Sequence, residues 1–151
     1  MSKRLVDIVV VPIASPLLVG VYENNRLIKT IQKEGMTSDI LPEIFDILLK
    51  EYEIKRVFYA KGPGSYMSIK LSYVFLKTLE IARNIELYAV DGFYFNGCAP
   101  IKAVGNSCFV KKDDIISIVK NVETGEFKLP DSLIEEDFTK DTSPLYVLSP
   151  V

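Results

Sequence analysis

The sequence predicts an α/β protein in which residues 1–95 run β-β-β-α-β-α-β and the remainder is β-rich with a weaker pattern. Three observations lead there. Leu5 to Val11 is an apolar run interrupted only by Asp7, the pattern of a central strand buried on both faces. From Ile40 to Tyr52 apolar residues recur at helical spacing. Between a β-like run and a long apolar segment stands Gly62-Pro63-Gly64-Ser65-Tyr66, which reads as strand, glycine turn and helix.

The elements follow in order. Pro12 ends the first strand because proline cannot donate to a ladder. Leu17 to Tyr22 is the second strand, and Leu27 to Gln32 returns as the third. Between them Glu23-Asn24-Asn25-Arg26 supplies asparagines that tolerate a tight hairpin turn. Gly35 breaks the pattern, and Thr37, Ser38 or Asp39 can cap the next helix. That helix carries Ile40, Leu41, Ile44, Phe45, Leu48 and Leu49, and Pro42 fixes its start near Asp39 to Leu41. Arg56 to Ala60 is a fourth strand leading into the glycine turn.

The second helix begins with Ser65 as its cap and runs to about Arg83. It bears Met67, Leu71, Val74, Phe75 and Ala82 on one side, with Ile69, Tyr73, Leu76 and Leu79 beside them. This apolar surface is wider than one sheet face needs, so part of it faces the subunit interior or a partner. Asn84 closes the helix, and Ile85 to Val90 is a fifth strand. Further on, Ile101 to Val110 and Ile115 to Val119 read as two strands joined by a charged turn. Asn121 to Gly125 reads as a turn, Leu129 to Lys140 as one short helix, and Leu145 to Leu148 as a final strand. Residues 96–151 are thus the part with the weaker pattern, and the length suits one domain or two small lobes.

Composition bounds the function. Hydrophobic residues make up 48% and charged residues 25%, a globular balance. A net charge of −2 gives no basic face for autonomous nucleic-acid binding, and Lys3-Arg4 and Lys111-Lys112 read as solvated surface. The chain has no histidine, which excludes a Cys/His zinc site and a histidine-based triad. Cys98 and Cys108 read as reduced, buried thiols. The run Ile8-Val9-Val10-Val11 is too short to span a membrane and lacks a signal-peptide cleavage pattern, so a soluble cytoplasmic protein is expected.

The glycine turn is neither of two familiar phosphate loops. A P-loop ends in Gly-Lys-Ser/Thr, whereas Gly64 precedes Ser65-Tyr66. The dinucleotide fingerprint needs a third glycine where Met67 stands. Gly62, Pro63, Gly64, Ser65 and Tyr66 remain a turn that either holds an anion at the helix N-terminus or packs the helix onto the sheet. Ser65 has no histidine to activate it, and Lys61 or Lys70 would need burial to act as a base. Asp7 and Asp91 each lack a second carboxylate nearby for magnesium and read as surface or capping groups.

Element order and motifs together resemble the TsaB (YeaZ) family of the actin/Hsp70-like ATPase (ribonuclease H-like) superfamily. Thr37-Ser38-Asp39-Ile40-Leu41-Pro42 is similar to the family's His-Ser-Glu-x-Leu-Leu-Pro helix start. Gly62-Pro63-Gly64-Ser65-Tyr66 is similar to its Gly-Pro-Gly-Ser-Phe turn, Leu87-Tyr88-Ala89-Val90 to the strand that follows, and Pro144-Leu145-Tyr146-Val147 to its closing Pro-x-Tyr-Leu. The chain departs elsewhere. Pro12-Ile13-Ala14-Ser15 replaces Asp-Thr-Ser, Met67-Ser68-Ile69-Lys70 replaces Thr-Gly-Leu-Arg, Met36 replaces the histidine, and the Asp-Ala-Arg strand ending has no counterpart near Gly105-Asn106-Ser107.

The resemblance implies an actin-like N-lobe with a reduced C-terminal lobe and a non-catalytic role. TsaB-like proteins partner TsaD, which forms N6-threonylcarbamoyladenosine at position 37 of tRNAs reading ANN codons; TsaE, an ATPase, joins the complex. No catalytic residue, metal, ATP or other cofactor is expected, tRNA is reached only indirectly, and a homodimer is the other pairing. The interface implied is Ile44, Phe45 and Leu48 of the first helix with Leu71, Val74, Phe75 and Thr78 of the second. The alternatives are a minimal actin-like phosphotransferase, a peptidase-like hydrolase, or a homodimeric binding module.

Overall fold

In the computed structural model, which describes residues 2–147, the chain builds a mixed sheet with two helices on one face and its own C-terminal segment on the other. The elements are β1 (Arg4–Val11), β2 (Leu17–Glu23), β3 (Arg26–Lys33), α1 (Thr37–Glu51), β4 (Tyr52–Ala60), α2 (Tyr66–Arg83) and β5 (Glu86–Val90). A short 3-10 turn at Gly92–Phe95 precedes β6 (Ile101–Lys102), β7 (Ser107–Lys112) and β8 (Ile115–Lys120). The first five strands lie in the order β3-β2-β1-β4-β5, and β6-β7-β8 form a second, antiparallel sheet.

Local chemistry explains most of these boundaries. Asn24 and Asn25 both adopt positive φ in the β2–β3 turn, the conformation that matches the twist of a two-residue hairpin. Ser65 caps α2 by accepting from the Ser68 amide, and Asn84 ends it in the left-handed region. α1 starts earlier than Pro42 suggests. Met36 occupies the cap position without a side-chain bond, and the Thr37 hydroxyl donates instead to Ser68 Oγ of α2 at 3.1 Å.

β1 is the central strand, as its apolar run predicts. Val6, Ile8 and Val10 face α1 and α2, where Ile40, Leu41, Ile44, Phe45 and Leu48 of α1 meet Leu76 and Leu79 of α2. Val9 and Val11 face the other way, with Leu18, Tyr22, Phe58 and Ala60, and there Phe95, Leu133 and Phe138 close the core. Phe138 stands edge-on to Phe58 and Tyr94 at 4.8 and 5.2 Å.

Backbone and side-chain bonds fasten this covering segment along its length. The Tyr22 phenol donates to the Pro130 carbonyl at 2.5 Å. The Leu27 amide donates to the Asp131 carbonyl and the Leu133 amide to the Asn25 carbonyl, while Ala89 and Thr139 exchange two bonds at the β5 edge. The Tyr59 phenol then donates to the Thr142 carbonyl. Arg56 makes a bidentate pair with Asp7 at 2.7 and 2.9 Å, binds Glu135 of the segment at 2.8 Å, and lies over the Phe58 ring.

Several expectations need correction. Asp7 is buried and ion-paired rather than a surface or capping group. Ile101 to Val110 is a hairpin turning at Gly105, not one strand, since Gly105 has positive φ. Only Glu135–Asp137 is helical within Leu129 to Lys140, as a 3-10 turn, because that segment spends its bonds on the sheet. Leu145 to Val147 form no strand, although Leu145 N–H donates to Lys61 C=O at 2.8 Å; Leu148 lies outside the described residues. Cys98 is exposed, whereas Cys108 is buried as expected, and both are free thiols.

Two predictions follow from the fastening of the second layer. Arg56→Met strands the buried Asp7 carboxylate and is expected to cost about 3 kcal/mol in urea denaturation. Tyr22 and Tyr59 have pKa values raised above the ordinary 10.0, first by burial. The unfolded chain therefore loses these protons first as pH rises. Their contribution is complete below about pH 10 and falls above it, by up to about 1.4 kcal/mol per pH unit for each group. Stability measured against pH is expected to drop above 10, and less steeply in Tyr22→Phe.

Candidate functional site

The glycine turn lies where β4 hands over to α2, at the carboxyl end of the parallel strands. Parallel sheets characteristically place sites at that end. Gly62 has φ +119, a conformation that favours glycine, and a Cβ there would collide with the Leu145 carbonyl. Its own carbonyl accepts from Gly92 N–H at 2.8 Å, and Lys61 N–H donates to Val90 C=O. The Lys61 ammonium reaches over to the Asp141 carbonyl at 3.0 Å. The turn is thus clamped between the loop after β5 and the end of the C-terminal segment.

Ile13 decides what this turn can hold. Its side chain fills the space beside Gly64 and Gly92: a Cβ at Gly64 would strike Ile13 Cγ2, and one at Gly92 would strike Ile13 Cδ1. The loop after β1 therefore meets the glycine turn through hydrocarbon. An anion cradle needs amides and polar side chains open to the ligand, and that approach is occupied by an isoleucine. Of the turn residues, Gly62 and Pro63 are buried, Gly64 is half-buried, and Ser65 and Tyr66 are exposed.

Beside Ile13 opens a cleft of about 1210 Å³ between the first sheet, the N-terminus of α2 and the second sheet. Tyr66, Phe109, Ile118, Phe127 and Tyr146 line much of it. The Tyr66 and Tyr146 rings sit 4.8 Å apart, and the Tyr146 phenol is raised in pKa by burial and then by Tyr66. Lys102 and Glu126 are the charged residues on its wall. The two carboxylates that sequence inspection raised for magnesium are both engaged by cations. Asp7 holds Arg56, and Asp91 holds Lys111 at 2.6 Å while accepting from Phe93 N–H. The Asp91 bond raises the Lys111 pKa.

The residues expected at a partner interface separate into two groups. Ile44, Phe45 and Leu48 are core residues, and this corrects their assignment to a contact surface. Helix α1 turns them onto the sheet, and at 4%, 0% and 0% exposure they have no area to offer. On α2, Val74 is 54% exposed and Thr78 is exposed, while Leu71 and Phe75 are half-buried, Phe75 standing edge-on to Phe45 at 5.5 Å. Met67 and Ile81, not in the expected set, are 56% and 82% exposed. Met67, Leu71, Val74, Thr78 and Ile81 follow one another at spacings of 4, 3, 4 and 3, the spacing of one continuous helical stripe. That spacing is legible in the sequence and would have added both residues.

The fold has known counterparts. The chain is similar to YeaZ from Pseudomonas aeruginosa, with a TM-score of 0.54 at 13% identity over 83% of this chain and 71% of that one. It is also similar to an uncharacterized protein with similarity to peptidase YeaZ from Pseudomonas aeruginosa, with a TM-score of 0.50 at 14% identity. That match covers 80% of this chain and 65% of the other. At such identities the likeness is one of fold: a mixed α/β architecture of the YeaZ kind. No protein-family model and no curated sequence matches the chain.

The fit of Ile13 is testable. Gly64→Ala is expected to destabilise the protein by about 1–3 kcal/mol through overpacking, because the new methyl meets Ile13. In an Ile13→Ala background the same change is expected to cost less. A double-mutant cycle by denaturation reads the coupling.

Proposed function

We propose that this chain is a non-catalytic pairing subunit of the TsaB (YeaZ) kind. In this reading it partners a TsaD-like protein in the cytoplasmic complex that forms N6-threonylcarbamoyladenosine at position 37 of tRNAs reading ANN codons. A TsaE-like ATPase joins it, and tRNA is contacted only through the partner. In this reading the sheet with α1 and α2 in residues 1–95 is an actin-like N-lobe; of residues 96–151, β6 to β8 are the reduced second lobe, and the segment carrying Leu133 and Phe138 covers the N-lobe sheet.

The observation that carries this reading is the apolar seam of α2. Met67, Val74 and Ile81 are each more than half exposed on one stripe, an arrangement a helix keeps when a second helix covers it. Ile13 supports the non-catalytic part. With the loop after β1 packed by hydrocarbon against Gly64 and Gly92, the residues present do not fit a nucleotide phosphate in the usual place. The net charge of −2 supports indirect contact with tRNA.

Co-expression with a TsaD-like protein from the same genome tests the pairing. The wild-type chain is expected to co-purify, and Val74→Asp to lose co-purification at least tenfold, since a carboxylate buried in an apolar seam is left unpaired. Val74 is 54% exposed in the free chain, so the thermal midpoint of the variant is expected to stay put. Failure of the wild type to co-purify overturns the assignment. Titration calorimetry with ATP and magnesium is expected to be flat, and tight binding would favour an actin-like phosphotransferase instead.

A further inference from the structure

The outer edge of β8 is unpaired among the described residues. The second sheet ends there, in the order β6-β7-β8. Natural edge strands are blunted by proline, a bulge or an inward-pointing charge. Ile115-Ile116-Ser117-Ile118-Val119 has none of these, and its register with β7 is unbroken. Ile115 is 69% exposed. Its two ends carry opposite charge: Asp113-Asp114 in the turn before it and Lys120 at its close.

The bond pattern shows which backbone groups face outward. Asn121 N–H donates to Asn106 C=O at 3.1 Å, so that facing pair is a hydrogen-bonded one. Alternation along the register then turns Val119, Ser117 and Ile115 toward β7. The amides and carbonyls of Ile116, Ile118 and Lys120 are left facing away from the sheet.

We propose that β8 is a self-association edge, at which two copies of this chain pair antiparallel about a two-fold axis beside Ser117. In that register Ile116 exchanges both backbone bonds with Ile118 of the second copy. The exposed Ile115 covers Val119, and Lys120 lies opposite Asp114, whose side chain is 99% exposed in the free chain. The neighbouring symmetric registers are worse. One sets Asp114 against Ile118 and carries Lys120 beyond the turn, and the other sets Lys120 against Ile116. Charge therefore selects one register of an edge that is otherwise largely apolar. This surface is separate from the α2 seam, so a chain paired through α2 retains it.

A single strand edge buries less area than a standard interface, so the association is weak and is best read by trapping. The two-fold axis sets Ser117 against its own copy in a non-hydrogen-bonded pair, with Cα atoms roughly 4.5 Å apart, within the range of a disulfide. Full-length Ser117→Cys in a Cys98→Ser background, oxidised with copper phenanthroline, is expected to give a covalent dimer about tenfold faster than Ile115→Cys, which faces Val119 instead. Adding Lys120→Asp is expected to slow trapping about tenfold, and adding Asp114→Lys to that chain to restore it, with circular dichroism confirming the fold of each variant. Equal trapping at 115 and 117, no trapped dimer, or indifference to the charge changes would each overturn the proposal. Loss of trapping by Val74→Asp alone would assign the contact to α2 and overturn it as well.

Discussion

A sheet with two apolar faces and helices on only one of them must find a second cover, and that requirement organises this molecule. α1 and α2 both pack on the face carrying Val6, Ile8 and Val10. Val9, Val11, Leu18 and Phe58 on the other face would otherwise lie open to water. The chain answers with its own irregular C-terminal segment, anchored by Leu133 and Phe138. Irregular backbone leaves many polar groups to satisfy, so the segment is tied at close intervals, from the Tyr22 phenol to the Ala89–Thr139 pair. The Asp7–Arg56–Glu135 cluster belongs to the same requirement. A buried carboxylate in a central strand is tolerable because one guanidinium satisfies it and also binds the covering segment.

The same segment reshapes the site. After Thr139 it continues past Thr142 to Leu145, whose carbonyl lies against Gly62. Ile13 closes from the other side, against Gly64 and Gly92. A strand–turn–helix junction that could have been an open anion cradle is thereby packed on two sides, and the open space shifts to the neighbouring tyrosine-lined cleft. Glycine at these positions is required by close packing as much as by any ligand.

How far the sequence was readable depended on which forces set each element. The hairpin at Asn24-Asn25, the Ser65 cap and the Asn84 stop are local chemistry, and each was legible from residue type. The central placement of β1 was legible because a strand buried on both faces leaves a continuous apolar run. The C-terminal segment was not, because its structure comes from bonds to strands far away in the chain and no periodicity records such bonds. Helical spacing alone also could not say which side of α1 meets the sheet. Ile44, Phe45 and Leu48 look the same in sequence whether they face a core or a partner. The plug at Ile13 was visible only as a departure from a motif; that it fills the turn required coordinates.

A helix serves as a pairing surface at low entropic cost only if it is already held still, and α2 meets that condition. Its N-terminus issues from a turn clamped by Gly92 and Leu145, and the Ser65 hydroxyl caps its first turn. Lys77 pairs with Glu80 at 2.7 Å, and Glu80 accepts from the Leu87 amide, so the last turns are tied to β5. Ile69, Leu76 and Leu79 fix the inward face. The seam from Met67 to Ile81 is therefore presented by a backbone with little freedom left to lose on association, which is where much of the cost of protein pairing lies. In the proposed pairing the covering segment would contribute without lying on the seam, because it holds the turn from which α2 starts.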